Sequence, residues 1–155
     1  TPGLRIFEKY AFKCGGGVNH RMGLYDAAMI KENHIAWTDN LNNAVKKIRL
    51  NSPFTTHIII EAENIEQAKE AVLAGADSVL LDELSPEIIK KNVQELRDLS
   101  MNSLKKEVNK NLIIEVSGIN PEEISKYLIK GIDLISTSSS ITKSNWIDLS
   151  MRYIN

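Results

Sequence analysis

The sequence predicts an α/β fold, an incomplete barrel of parallel strands, and three observations lead there. Five short apolar runs, closing at Ile30, Ile60, Leu81, Ile114 and Ile135, alternate with segments of helical periodicity. The runs are continuously apolar, as suits strands of a parallel sheet covered on both faces. Four of the five end in polar groups: Lys31, Glu61, Asp82 and Ser117-Gly118. An open sheet would spread those groups along an edge, whereas a barrel gathers its strand C-termini at one mouth. Five strands do not close a barrel, so at least two more must come from missing sequence or another chain.

The elements follow in order. Leu4, Phe7, Tyr10 and Ala11 recur at helical spacing after Pro2, and Gly15 to Gly17 end the pattern, so helix one runs from about Gly3 to Lys13. Ala27 to Ile30 is a strand leading into Lys31-Glu32-Asn33-His34. Thr38 or Asp39 caps a helix through Leu41, Ala44, Val45 and Ile48, which Asn51, Ser52 and Pro53 terminate. The β-branched run His57 to Ile60 is a second strand, and the helix from Ile65 to Ala74 stops at Gly75. Ser78 to Leu81 is a third strand. Ser85 caps the next helix with Pro86 in its first turn, and the stretch Ile88 to Lys110 holds one long helix or two short ones. Leu112 to Ile114 is a fourth strand, Pro121 to Ile129 a helix, and Asp133 to Ile135 a fifth strand.

At 155 residues, with 43% hydrophobic and 25% charged content, the chain matches one ordinary globular domain. Its 19 basic and 20 acidic residues nearly cancel, which argues against nucleic acid and membrane surfaces as partners and requires any anion site to be local. No apolar run approaches the roughly 20 residues of a membrane span. One cysteine, Cys14, cannot form an internal disulfide and reads as a small, at least partly buried side chain in a reducing cytoplasm. The start at Thr1-Pro2-Gly3, without methionine, suggests a processed product, an expression fragment or a piece of a longer frame.

The chemistry-bearing residues cluster. Gly15-Gly16-Gly17 lets the backbone pass close to a ligand, and His20 and Arg21 carry donors suited to carboxylates, although a plain surface loop reads the same way. Lys31 directly after an apolar strand is costly there unless it meets an anion. Glu61 and Glu63 alternate at the end of the second strand, and Asp82 repeats an acidic end one strand later, suggesting a cation or sugar hydroxyls. Ser117-Gly118 and the run Ser136 to Ser140 follow the last two strands, where barrels of this kind often bind phosphate. Trp37 and Trp146 read as packing residues, and His34 and His57 lack a partner at metal-ligand spacing.

The strings Thr1-Pro2-Gly3-Leu4-Arg5, Gly17-Val18-Asn19-His20-Arg21-Met22-Gly23-Leu24-Tyr25-Asp26 and Ile30-Lys31-Glu32-Asn33-His34 resemble the signature of the quinolinate phosphoribosyltransferase family. Glu61-Ala62-Glu63-Asn64, Leu80-Leu81-Asp82, Glu115-Val116-Ser117-Gly118 and Ile147-Asp148-Leu149-Ser150 extend the resemblance over nearly the whole chain. It implies that residues 1–155 are the barrel part of a homodimeric enzyme whose seven-stranded α/β barrel follows an N-terminal sandwich domain. That domain and the first barrel strands, with a Thr-Arg-Lys-Thr string, would fall before Thr1.

The resemblance assigns His20, Arg21 and Lys31 to the carboxylates of quinolinate, with Lys31 also catalytic. Glu61 and Asp82 are assigned to the ribose and magnesium of phosphoribosyl pyrophosphate and to catalysis, and Ser117 and Gly118 to its phosphate. Ile119 stands where the family often has a second glycine, Ser138 where it has glycine, and Glu83 where asparagine is usual. Some phosphate contacts are accordingly expected at Ser138 and Ser139. The implied reaction makes nicotinate mononucleotide for NAD synthesis, with Mg2+ and no organic cofactor. Two rival readings are a molybdenum-transport-associated homologue and a non-catalytic anion-binding barrel fragment.

Overall fold

The computed structural model describes residues 1–38, 40–104 and 111–154. Helix α1 (Arg5–Cys14) precedes strand β1 (Ala27–Ile30), the short α2 (Glu32–Ala36) and α3 (Leu41–Asn51). Then follow β2 (His57–Ala62), α4 (Ile65–Leu73), β3 (Ser78–Asp82), α5 (Pro86–Leu104) and β4 (Ile113–Ser117). A 3-10 helix (Pro121–Tyr127), β5 (Leu134–Ile135) and α6 (Ser139–Thr142) complete the order.

All five expected strands form, and they pair in parallel in the order β1-β2-β3-β4-β5. A doubly wound sheet reverses its strand order at a switch point, and this one never does. Every crossover therefore steps the same way, and the sheet curls into a partial barrel. The curl is seen directly in the loop before β1, where His20 Nε2 lies 3.6 Å from Glu115 Oε2 on β4.

The two sheet faces differ. Ile58, Ile60, Val79, Leu81, Ile114 and Val116 are fully buried on the outer face, in one core with Ala68, Ala71, Ile89 and Leu96 of α4 and α5. Each such aliphatic side chain contributes about 2 kcal/mol, which makes this layer the main source of stability. Among the described residues the buried apolar cluster of the inner face is small, Ala27, Ile59 and Leu80 with Met29 packed against them. Strand alternation puts Lys31, Glu61, Asp82, Glu115, Ser117 and Ser136 on that same inner side.

The N-terminal ends of the strands are tied by one device used twice. Before β3, Asp77 accepts from the Ile58 amide at 2.7 Å and from Arg49 Nη2 at 2.6 Å, while Arg49 Nη1 donates to the Thr56 carbonyl at 2.8 Å. Before β5, Asp133 accepts from the Ile114 amide at 2.7 Å and from Arg97 Nη2 at 2.5 Å, while Arg97 Nη1 donates to the Leu112 carbonyl at 2.5 Å. In both, a helix arginine and an aspartate close the start of one strand onto the next.

Several expectations are corrected. The cap of α3 is Asn40, whose side chain accepts from the Asn43 amide at 2.8 Å, rather than Thr38, which bonds back to Ile35; Asp39 lies outside the described residues. The stretch after Ser85 is one helix as far as Leu104, with 105–110 outside the described residues. Pro121–Tyr127 is a 3-10 helix rather than the expected α-helix, with Pro121 in its first turn. Helix α1 forms but buries none of its residues, so Cys14 is exposed. Trp37 ends α2 and Trp146 sits in a C-terminal segment without helix or strand; at 88% and 98% exposure neither packs into the core.

Candidate active site

Lys31 leaves β1 and enters α2, its amide donating to His34 Nδ1 at 3.0 Å, which gives His34 a structural task. Its ammonium donates to Glu61 Oε2 across the mouth at 2.7 Å. Glu61 is 10% and Lys31 45% exposed, so the acid is the sheltered partner. The hydrogen bond to Glu61 holds the Lys31 pKa above the ordinary lysine value against partial burial, with Glu32 and Asp82 adding attraction. Lys31 is therefore a full cation at neutral pH. Strand β2 ends at Ala62, so Glu63 falls beyond it, exposed, with its amide donating to Gln67. The two glutamates do not share the mouth.

Asp82 closes β3 and is in register with Ser117 at the end of β4. The turn after Asp82 is tight: Glu83 has φ +52, and its amide donates to the Ser117 carbonyl at 3.3 Å. Gly118 faces it with φ +78, and a Cβ there would stand 2.9 Å from Glu83 Cγ and 3.8 Å from Asp82 Oδ1. A side chain at 118 would be strained by backbone and crowded by this turn. Ile119, in place of a second glycine, is 3% exposed and packs into the outer core, away from the mouth.

The glycine-rich loop is held by a residue the sequence reading passed over. Lys9 of α1 donates from Nζ to the carbonyls of His20 and Arg21 at 2.8 and 2.9 Å, and Asn19 Nδ2 donates to the Lys9 carbonyl at 3.0 Å. Arg21 turns toward β1 itself, Nη1 donating to the Ala27 carbonyl at 2.8 Å and Nη2 lying 3.7 Å from Met29 Sδ. The structure thus joins Lys31, Glu61 and Asp82 at the mouth, brings His20 to Glu115, and places Arg21 on the lower half of β1. Glu115 was also missed. The signal for it was an acid inside the apolar run Leu112 to Val116.

At the β5 end, Ser136 Oγ donates to Glu115 Oε1. Ser138 leads into α6, where its carbonyl accepts from the Ile141 and Thr142 amides at 3.0 and 2.9 Å. The Ser139 amide is occupied by Thr137 Oγ1 at 3.1 Å, so a phosphate there would have to displace that hydroxyl. A cleft of about 310 Å3 opens beside this segment, lined by Lys9, Phe12, His20, Ser136 and Thr137 among others.

Lys31 at the end of β1, Glu61 on β2 and Asp82 at the end of β3 thus lie at the C-terminal mouth of a partial parallel barrel, while Arg21 of the loop reaches the start of β1. The strand C-termini of such barrels are where functional groups gather, and the fold and this mouth define an α/β-barrel domain. The family described as "Quinolinate phosphoribosyl transferase, C-terminal domain" matches residues 1–152, and the chain belongs to that family. It is 41% identical over 152 residues, 97% of the chain and 52% of the relative, to the probable nicotinate-nucleotide pyrophosphorylase [carboxylating] of Methanothermobacter thermautotrophicus. It is 36% identical to the nicotinate-nucleotide pyrophosphorylase [carboxylating] of Dictyostelium discoideum, over 98% of the chain and 48% of the relative. Among solved structures, NadC from Streptococcus pyogenes superposes with a TM-score of 0.81 at 36% identity, covering 99% of this chain and 50% of that one. The chain spans about half the length of the curated relatives it matches.

Proposed function

We propose that the chain is the barrel part of an enzyme transferring ribose 5-phosphate from phosphoribosyl pyrophosphate to the ring nitrogen of quinolinate, in NAD synthesis. The observation that carries this reading is the Lys31–Glu61 pair with Asp82 on the next strand: a cation paired with one carboxylate and a second carboxylate at the neighbouring strand end. A bond forms from the pyridine nitrogen to the ribose C1, and the bond from C1 to pyrophosphate breaks. The carboxylate adjacent to the nitrogen leaves as carbon dioxide, its bonding electrons passing to the ring carbon, which takes a proton. The quaternised pyridinium is the electron sink, so the reading needs no organic cofactor.

Lys31, His20 and Arg21 hold the acceptor's carboxylates, with Arg21 moving off the Ala27 carbonyl or sharing its donors. Glu61 and Asp82 hold the ribose and favour positive charge at C1. Ser117 and Gly118, with Ser138 and Ser139, hold phosphate. Among the described residues no three His, Cys, Asp or Glu side chains gather into a cage. Two hard-oxygen donors on neighbouring strand ends do fit Mg2+, which takes one or two carboxylates together with substrate phosphates. When bound, magnesium supplies charge neutralisation to the leaving pyrophosphate.

The reading carries with it a homodimer in the cytoplasm. Ile6, Phe7 and Tyr10 of α1, 76%, 70% and 69% exposed, are an apolar face for a partner to cover. No helix among the described residues is long and apolar enough to cross a membrane. Quinolinate-dependent release of pyrophosphate and carbon dioxide by the full-length protein tests the proposal. Anion binding without either product would leave a binding barrel in its place.

A further inference from the structure

Glu115 sits at the middle of β4, on the inner face, and is 3% exposed. A carboxylate that deep is costly unless its oxygens are engaged. One oxygen accepts the Ser136 hydroxyl, and the other faces His20 Nε2 at 3.6 Å. On the far side of the ring, His20 Nδ1 accepts the Arg21 backbone amide at 2.8 Å. A ring nitrogen that accepts carries no proton, so the neutral ring has its proton on Nε2, directed at Glu115. The imidazole is thereby held at Nδ1 and faced by the buried carboxylate at Nε2.

We propose that Glu115 is a positioning residue for the acceptor site: it orients the Nε2 side of the His20 ring, and through Ser136 it ties that ring to the end of β5. This rests on the reading of His20 as a quinolinate-holding residue. At 3.6 Å the His20–Glu115 contact is longer than a hydrogen bond, so the ring is aimed by the buried charge without being locked to it. A substrate carboxylate is then able to compete for the Nε2 proton. Loss of the charge leaves the ring free to turn, while the shape of the strand stays intact.

The test is a double-mutant cycle on the full-length protein with Glu115→Gln, His20→Asn and both together. Glu115→Gln is expected to raise KM for quinolinate about tenfold, the scale of one charge-assisted hydrogen bond, with KM for phosphoribosyl pyrophosphate nearly unchanged. The double variant is expected to be no worse than His20→Asn alone, since Glu115 acts through that ring. Additive losses, or equal rises for both substrates, would overturn the proposal. If the glutamine variant does not fold, Glu115→Asp, which withdraws the charge by one methylene, takes its place with the same outcomes. Ring 15N NMR of His20 separates this from the functional reading: the Nε2 resonance should shift in the variant, where the carboxylate facing it is gone, whether or not quinolinate is a substrate. Unchanged ring shifts would overturn the positioning role.

Discussion

The two ends of this sheet use charge in opposite ways. At the N-terminal end, Arg49–Asp77 and Arg97–Asp133 spend their hydrogen bonds on strand amides and carbonyls, so each charge is consumed by the fold. At the C-terminal end, Lys31 and Glu61 spend their side-chain hydrogen bond on each other across the mouth. The difference teaches where substitution should cost stability and where it should cost chemistry. A charge that closes strands is structural, and a pair that closes only on itself is free to open for a ligand.

The largest expected effect lies at the lower end. Asp77→Ala strands the Arg49 guanidinium and the Ile58 amide, and should lower stability by about 3 kcal/mol in urea unfolding, with turnover per folded molecule unchanged. A fall in turnover without a fall in stability would break the contrast between the ends. Next comes Glu61→Gln, which keeps the shape at the mouth and removes the charge. Turnover should drop about a hundredfold, roughly 2.7 kcal/mol of transition-state stabilisation, with melting nearly unchanged. Asp82→Asn should behave alike, and Glu63→Gln, exposed beyond the strand, should stay near parental rates. A collapse confined to Glu63→Gln would move the site one step along β2.

The smallest effect sharpens the comparison between the two turns that face each other at the mouth. Gly118 adopts its left-handed backbone freely, while Glu83 adopts φ +52 against a steric cost. Asparagine tolerates that region best among residues with a side chain. Glu83→Asn should therefore stabilise the protein by about 0.5–1 kcal/mol, read as a rise in the urea midpoint at constant slope. An unchanged or lower midpoint would show that the Glu83 side chain contributes more than its backbone costs.

The strands were legible because each is a compact apolar run bounded by charge or glycine, and their acidic and basic ends named Lys31, Glu61 and Asp82. The β5 region was legible only in part: the strand is two residues long and its preceding helix is of the 3-10 type. Helical periodicity in α1 revealed the helix but not its exposure, since a stripe of apolar residues says nothing about what covers it. The same holds for Trp37 and Trp146. Glu115 and Lys9 escaped because their roles rest on partners distant in sequence, His20 and Ser136 for the first, the loop carbonyls for the second. The Arg–Asp closures escaped for the same reason, although Asp77 and Asp133 each stand just before a strand at the same offset from a glycine.

The unbroken strand order has a kinetic consequence. Each strand pairs with its neighbour in sequence, so the sheet is able to grow in the order in which the chain leaves the ribosome, with β1 waiting only for β2. The contact between His20 and Glu115 has no such privilege, because the loop must stay uncommitted until β4 has been made and laid down. The outer hydrophobic layer, which includes Ile114 and Val116 of β4, and the His20–Glu115 contact both wait for that strand, so the loop before β1 closes onto the sheet no earlier than the outer layer is complete.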